Sequence, residues 1–311
     1  MQRRNVVWVT EHIHADAIAL LSDAAEVLGP GPIPDSRRAD VSAVIVRAHP
    51  VDETLLSSLP NVKVIGKHGA GTDNIDMEVA KQRSLQVFRT EGANAESVAD
   101  LAVLLALMLL RSPDLHDRAL RRAGSSPASI PGGFEVSERQ IGILGMGAIG
   151  RAVASRLTGG FSADVGGYDP ALPQELWPIA VRRHVDFVAL LHETDLLFLH
   201  LPLLPQTRNL IGTSELAALR PGAVIVNCAR GGIVDEQALA QALASGQVAA
   251  AASDVFEVEP PAPDSPLLAC SGRFIGTPHI GASTNAGLRR TGMIICQKVL
   301  DALGSLEGDT V

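Results

Sequence analysis

The segment IGILGMGAIGRAVASRL, which begins at Ile141, constrains the fold more than any other part of the 311-residue chain. An apolar run comes first, a glycine-rich turn follows, and a helical stretch comes after it. The pattern G-x-G-x-x-G between a strand and a helix is typical of a parallel α/β sheet that binds a dinucleotide. We expect Gly145 to make the tight turn, Gly147 to leave room for a pyrophosphate, and Gly150 to allow close packing of the helix.

The residues around this turn also indicate which dinucleotide is bound. The helix is predicted to begin near Ala148 and Ile149, where free N–H groups and the helix dipole favour a phosphate. Roughly twenty residues after Gly150, the next apolar run ends at Asp169. A carboxylate there accepts hydrogen bonds from the ribose hydroxyls of NAD and repels the 2′-phosphate of NADP. The sequence therefore predicts NAD as the cofactor, and a glycine-rich turn without a ligand is the alternative.

Short apolar runs alternate with amphipathic stretches along the chain, which favours parallel sheets with crossover helices. The runs predicted as strands are 6–9, 44–46, 62–66, 141–144, 196–199 and 224–226, and VAAAAS at 248–253 is predicted as a buried strand from its neighbours. A helix is predicted from Asn94 to Leu110, and residues 124–133 are predicted as a loop. A chain of this length is long enough for two domains, and two domains imply a cleft.

Three loops that follow predicted strands carry the residues of a candidate catalytic site: NCARGG, SDVFEVEPP and TPHIGAST. Arg230 offers a planar guanidinium that binds a carboxylate through two hydrogen bonds. Histidine is the side chain of this group whose unperturbed pKa lies near operating pH, so His279 can transfer a proton, while Glu259 would hold its ring and favour its charged form. Taken singly, each has a structural interpretation, but together they are the parts that hydride transfer to a 2-keto acid requires.

Composition and charge argue against several other classes of protein. A net charge of -8 gives no basic surface for nucleic acid or for an anionic membrane. The apolar run at 101–110 is about half the ~20 residues that cross a bilayer, and the first residues are too polar for a signal peptide. The three cysteines have neither disulfide nor metal-ligand spacing. We therefore expect a cytoplasmic protein without a metal site.

Several sequence blocks resemble the D-isomer specific 2-hydroxyacid dehydrogenase family, nearest to its phosphoglycerate dehydrogenase and hydroxypyruvate reductase branches. The blocks are HGAGTDNID, ILGMGAIG, HLPLLPQTRNLIG, LRPGAVIVNCARGGIVDEQAL, DVFEVEPP and TPHIGAST. The resemblance implies an α/β fold with two Rossmann-like doubly wound domains and a cleft between them. A flavodoxin-like substrate domain would comprise residues 1–93 plus 286–311, and an NAD-binding Rossmann domain residues 94–285. No regulatory domain is expected after the helix near 294–303.

The resemblance also implies roles for individual residues. Arg230 would bind the substrate carboxylate and carbonyl, Glu259 would pair with the catalytic His279, and Asp254 would contact the nicotinamide carboxamide. The expected cofactor contacts are Gly145, Gly147, Ala148, Ile149, Gly150, Asp169, His200, Pro202, Thr207, Cys228, Ala229, Arg230, Asp254, His279 and Gly281. The expected substrate contacts are Lys67, His68, Gly69, Ala70, Gly71, Arg230 and His279.

The expected function is hydride transfer between NAD(H) and C2 of a small D-2-hydroxy acid or 2-keto acid, such as 3-phosphoglycerate or hydroxypyruvate. Lys67 and His68 are interpreted in two ways: they contact a second anionic group of the substrate, or they are solvated loop residues. Alternatives for the whole chain are an NAD(H)-sensing interaction protein and a dehydrogenase of formate or phosphite. The apolar helix after Asn94 predicts a homodimer.

Overall fold

The computed structural model describes residues 4–124, 132–270 and 272–308. Contacts divide the chain into two compact units. The described residues within Met1–Asn94 and Ala282–Val311 form the first unit, and those within Ala95–Gly281 form the second. From the sequence we expected the boundaries after residues 93 and 285. Most of the predicted loop at 124–133, residues 125–131, lies outside the described residues.

Most helices and strands alternate along the chain in both units. The strands are β1 (Val6–Val9), β2 (Glu26–Leu28), β3 (Val41–Val46), β4 (Val64–Lys67), β5 (Gln86–Arg89), β6 (Ile141–Leu144), β7 (Val165–Tyr168), β8 (Arg182–Arg183), β9 (Leu196–Leu199), β10 (Ala223–Asn227), β11 (Val248–Ser253) and β12 (Phe274–Gly276). The helices are α1 (Ala15–Ala24), α2 (Glu53–Ser57), α3 (Met77–Gln82), α4 (Ala95–Arg111), α5 (Pro113–Ala123), α6 (Ala148–Phe161), α7 (Phe187–Glu193), α8 (Thr213–Ala218), α9 (Glu236–Ser245) and α10 (Asn285–Gly308).

The first unit is a five-stranded parallel sheet in the order β2-β1-β3-β4-β5, which is the order of the flavodoxin-like fold. Helices α1 and α10 cover one face, where Leu21 and Ile295 belong to the buried core. A second buried cluster, which includes Leu56 and Ile65, covers the other face. Close packing of α10 on β4 needs a glycine, since a Cβ atom on Gly66 would lie 2.7 Å from a Val299 methyl group.

The second unit is a seven-stranded parallel sheet in the order β12-β11-β10-β9-β6-β7-β8. The chain direction across the sheet reverses between β6 and β9, and ligands of such sheets bind beyond the carboxyl ends of strands at this point. Apolar side chains cover both faces, with Phe198 in one cluster and Ile225 in the other. Two doubly wound parallel sheets confirm the predicted fold class.

The strand VAAAAS is present as β11, which confirms a prediction made against the helix propensity of alanine. It lies between β10 and β12 and pairs with both, so tertiary contacts override local preference. The predicted helix from Asn94 is present as α4, and its apolar character matches a largely buried surface. No helix among the described residues is both long and apolar enough to cross a membrane.

Candidate active site

The glycine-rich turn after β6 has the geometry that a pyrophosphate requires. Gly145 has a φ of +91°, and a Cβ atom on it would lie 2.4 Å from the carbonyl oxygen of His200. A Cβ atom on Gly150 would lie 2.0 Å from the carbonyl oxygen of Gly145, so the helix and the turn are in close contact. At Gly147, by contrast, a Cβ atom would meet nothing within 4 Å. The open space at Gly147, beside the N-terminus of α6, fits a bound dinucleotide phosphate.

Asp169 follows β7 and binds the glycine-rich turn directly. Its Oδ2 accepts the backbone N–H of Met146 at 2.9 Å, and its Oδ1 accepts the N–H groups of Ala171 and Leu172 at 2.9 and 3.2 Å. The carbonyl oxygen of Met146 accepts a hydrogen bond from Arg151 at 3.2 Å. Asp169 therefore fixes the turn, in addition to the ribose contact that its position in the sequence predicts.

The loop after β9 carries the other residues expected to contact the cofactor. The ring of His200 stacks on Phe198 at 6.3 Å, and its two nitrogens are buried without a hydrogen-bond partner among the described residues. Burial lowers the pKa of His200 to about 3, so the ring is neutral at physiological pH. The Thr207 hydroxyl donates to the Pro202 carbonyl oxygen at 2.6 Å and thus closes the loop. His200 has hydrogen-bonding capacity that no described protein group uses.

The loop that carries Arg230 follows β10 and is held by Asn227. The side chain of Asn227 accepts the N–H of Ala229 at 3.0 Å and donates to the carbonyl oxygen of Arg230 at 3.3 Å. The half-buried guanidinium donates to the Ala229 carbonyl oxygen at 2.7 Å. The side chains of Cys228 and Ala229 are 6% and 5% exposed and lie in the core. Both residues therefore offer little surface to a cofactor, and their expected cofactor contacts stay a prediction.

Asp254, which is 2% exposed, holds the turn that carries His279. Its Oδ1 accepts the Thr277 hydroxyl at 2.6 Å and the N–H of Ile280 at 2.8 Å, and its Oδ2 accepts the N–H of Gly281 at 2.8 Å. The backbone N–H of His279 donates to the Asp254 carbonyl oxygen at 2.9 Å. His279 has a φ of +53°, an uncommon conformation for a residue with a side chain, which these four bonds stabilise.

The side chains of His279 and Glu259 are in direct contact. Nδ1 of His279 lies 2.8 Å from Oε2 of Glu259, and Oε1 of Glu259 accepts the N–H of Phe256 at 3.1 Å. Burial raises the pKa of Glu259, but the bonds from His279 and Phe256 and the charges of His279 and Arg230 outweigh it and lower the pKa overall. Glu259 is therefore ionised at neutral pH, and it leaves Nε2 of His279 for a substrate.

In the first unit, the structure changes the interpretation of Lys67 and His68. They are 9% and 8% exposed, so the interpretation of both as solvated loop residues is wrong. The ammonium of Lys67 donates to the carbonyl oxygen of Arg47 and to Oδ1 of Asn74. Burial, followed by the charge of Arg47, lowers the pKa of His68 to about 4. His68 therefore brings no positive charge to a substrate at neutral pH.

The amides of the loop after β4 are only partly available to a ligand. The N–H of His68 donates to the carbonyl oxygen of Val46 at 2.8 Å, and that of Gly69 donates to the Thr90 hydroxyl at 3.0 Å. The N–H groups of Ala70 and Gly71 donate to no group among the described residues. Within the expected substrate loop, the available donors are thus Ala70 and Gly71. The sequence alone did not distinguish these amides from those of His68 and Gly69.

The doubly wound sheet, its open glycine-rich turn and the carboxylate after β7 define a dinucleotide-binding protein. Residues 103–281 match the family model described as D-isomer specific 2-hydroxyacid dehydrogenase, NAD binding domain. The chain belongs to the D-isomer specific 2-hydroxyacid dehydrogenase family. This confirms the resemblance seen in the sequence and NAD as the predicted cofactor.

Individual relatives agree with this assignment. The chain is 38% identical to a hydroxypyruvate reductase of Thermotoga maritima, over 98% of this chain and 93% of that protein. It is 36% identical to a D-3-phosphoglycerate dehydrogenase of Methanocaldococcus jannaschii, over 96% of this chain but only 57% of that protein. The crystal structure of a glyoxylate reductase from Paecilomyes thermophila matches with a TM-score of 0.85 at 32% identity, covering 97% of this chain and 96% of that one.

Proposed function

We propose that the protein is an NAD-dependent dehydrogenase that transfers a hydride between NAD(H) and C2 of a small D-2-hydroxy acid. The observation that carries this proposal is the 2.8 Å contact between His279 and Glu259. This pair lies in loops at the carboxyl ends of strands of the NAD-binding sheet, in the unit that also contains Arg230. A base, its orienting carboxylate and an anion-binding guanidinium are the groups that this reaction requires.

Each residue has one task in the reducing direction. NADH, which the glycine-rich turn and Asp169 would hold, would supply the hydride for the carbonyl carbon and would itself become NAD⁺. Arg230 binds the carboxylate and carbonyl of the 2-keto acid, and Nε2 of protonated His279 donates a proton to the carbonyl oxygen, which becomes the hydroxyl. Glu259 stabilises the charged imidazole and holds the ring through Nδ1. Oxidation of the hydroxy acid is the reverse.

We propose an anionic 2-keto acid as the substrate, such as hydroxypyruvate or its 3-phospho form. The names of the relatives support this class. In the first unit, the N–H groups of Ala70 and Gly71 are the candidate donors to the substrate carboxylate. We assign Lys67 and His68 a structural role in this loop instead of a substrate contact. The Lys67 ammonium donates to two protein acceptors, and His68 is neutral and so offers no charge to a substrate anion.

The direct test is NADH oxidation with a panel of glyoxylate, pyruvate, hydroxypyruvate, 3-phosphohydroxypyruvate and 3-sulfopyruvate. Assays of formate and phosphite with NAD test the alternative that the protein is a dehydrogenase of one of these anions. Turnover of at least one 2-keto acid, with none of formate or phosphite, supports the proposal. Binding of NADH without turnover of any compound would reject it in favour of a sensing role.

We also propose that the protein is a cytoplasmic homodimer that associates through α4. Leu104 on this helix is 51% exposed, and it borders an apolar depression with Val103, Leu107 and Phe161. An exposed apolar surface of this kind is typical of a contact between subunits. Light scattering should show a dimer for the wild type and a monomer for Leu104→Lys. A monomeric wild type would reject the proposal.

A further inference from the structure

Glu11, directly after β1, binds the loop that follows β3. Its Oε2 accepts the Thr10 hydroxyl at 2.5 Å and the N–H of Arg47 at 2.7 Å, and its Oε1 accepts the N–H groups of Ala48 and His49 at 2.6 and 2.9 Å. Burial raises the pKa of Glu11, but these four bonds outweigh it and the pKa is lowered overall. A single ionised carboxylate thus fixes three consecutive amides.

Lys67 binds the same loop from its carbonyl side. Its buried ammonium donates to the carbonyl oxygen of Arg47 and to Oδ1 of Asn74, and Nδ2 of Asn74 donates to the carbonyl oxygen of His49 at 2.6 Å. Residues 47–49 therefore have an anion at their N–H groups and a cation at a carbonyl group. Hydrogen bonds to charged groups are stronger than those between neutral groups. We call this arrangement the Glu11–Lys67 clamp.

The Glu11–Lys67 clamp is connected through Asn74 to the loop after β4, which contains the available N–H groups of Ala70 and Gly71. On one side of this loop, Thr90 accepts the N–H of Gly69 at 3.0 Å and donates its own N–H to the Gly69 carbonyl oxygen at 2.9 Å. On the other side, Asn74 is held by Lys67. The two N–H groups that bind no described protein group, those of Ala70 and Gly71, lie in the short segment between these anchors.

We propose that Glu11 and Lys67 are positioning residues, which hold the loops at 47–49 and 67–74 in the conformation in which Ala70 and Gly71 receive the carboxylate of a 2-keto acid. This inference rests on the proposed function. Neither residue contacts the substrate itself. Substrate binding to two amides that are already held in position loses less conformational entropy than binding to a loop that must first become ordered.

The first test is hydrogen exchange, which does not depend on turnover. The variants are Glu11→Gln and Lys67→Met, and the matched controls are Glu53→Gln and Lys63→Met, whose side chains are exposed. We expect the amides at 47–49 and the amide of Gly69, all of which donate hydrogen bonds, to exchange at least tenfold faster in the two test variants, and to be unchanged in the controls. Unchanged exchange in Glu11→Gln would overturn the clamp, even if Lys67→Met does not fold.

The second test separates positioning from general loss of stability. In Glu11→Gln and Lys67→Met, the KM for the 2-keto acid and the Kd of oxamate, a non-reacting analogue, should both rise at least tenfold over the wild-type values. The Kd of NADH should stay within twofold of the wild-type value. A rise in the Kd of NADH of similar size would overturn the positioning role. A wild type that neither turns over a 2-keto acid nor binds oxamate would reject the proposed function, and hydrogen exchange would still decide whether the clamp exists.

Discussion

Replacement of Gly231 by alanine tests the contact between two loops of the candidate active site. Gly231 follows Arg230, and its Cα lies against the backbone of the loop that carries Glu259. A Cβ atom at this position would lie 1.9 Å from the carbonyl oxygen of Phe256 and 2.5 Å from the N–H nitrogen of Glu257. Because both neighbours are backbone atoms, no rotation of a side chain can relieve the overlap.

The structure gives the size of the expected effect. Cβ atoms essentially never approach another heavy atom below 3.0 Å, so the loops of Arg230 and Glu259 must separate by about 1 Å in Gly231→Ala. A displacement of that size lowers the rate by on the order of 10²-fold, and overpacking costs about 1–3 kcal/mol of unfolding free energy. This cost is smaller than the ~5–15 kcal/mol of a typical protein, so the variant should remain folded.

The assay compares kcat/KM for the preferred 2-keto acid and the thermal midpoint in wild type and Gly231→Ala. The matched control is Gly159→Ala, since Gly159 is exposed in α6 and a Cβ atom there would meet nothing within 4 Å. The control should keep wild-type activity, and its thermal midpoint should equal or exceed that of the wild type because alanine favours a helix more than glycine does. A folded Gly231→Ala variant with wild-type kcat/KM would refute the argument that the spacing of these two loops controls the reaction.

Three further predictions concern the carboxylates of the second unit. In Asp254→Asn, the turn of His279 loses charge-assisted bonds, so kcat should fall at least tenfold while the chain stays folded; an unchanged kcat would contradict the positioning role of Asp254. In Asp169→Ala, Met146 loses its acceptor and the charge that repels a 2′-phosphate is removed, so fluorescence titration should show weaker NADH binding and a smaller preference for NADH over NADPH; an unchanged affinity for NADH would contradict the role of Asp169 in fixing the turn. Because the pKa of Glu259 is lowered in the fold, its pair with His279 stabilises the protein above pH 4.5, the ordinary pKa of a glutamate, and this contribution is lost as the pH falls through the lowered pKa. The difference in thermal midpoint between wild type and Glu259→Gln should therefore narrow below pH 4.5. A constant difference would contradict this linkage.

The central strands could be predicted from the sequence because they are buried on both faces. β1, β6 and β9 are continuous apolar runs, and their bounds match the predicted ones. The strands missed from the sequence, β2, β5 and β8, lie at edges of the two sheets. Edge strands are short and partly exposed, so their sequences lack an apolar run. Only pairing with the finished sheet defines them.

The residues of the candidate site likewise divide into those whose tasks the sequence predicts and those whose tasks it does not. Arg230, Glu259 and His279 could be proposed because each lies in a loop directly after or near a strand end and has a distinct chemistry. The tasks of Asp254 and Glu11 could not be predicted, because most of their partners are backbone amides in other loops, which have no side-chain signature. Polar residues immediately after buried strands were the signal available in the sequence.

The most direct test of the central claim is turnover of the best 2-keto acid by His279→Ala, measured together with its affinity for NADH. The account predicts that kcat falls by about 10²–10⁴-fold, the contribution typical of a general acid, while the Kd of NADH stays within a small factor of the wild-type value. A variant that binds NADH normally and retains wild-type kcat would contradict the assignment of His279 as the proton donor.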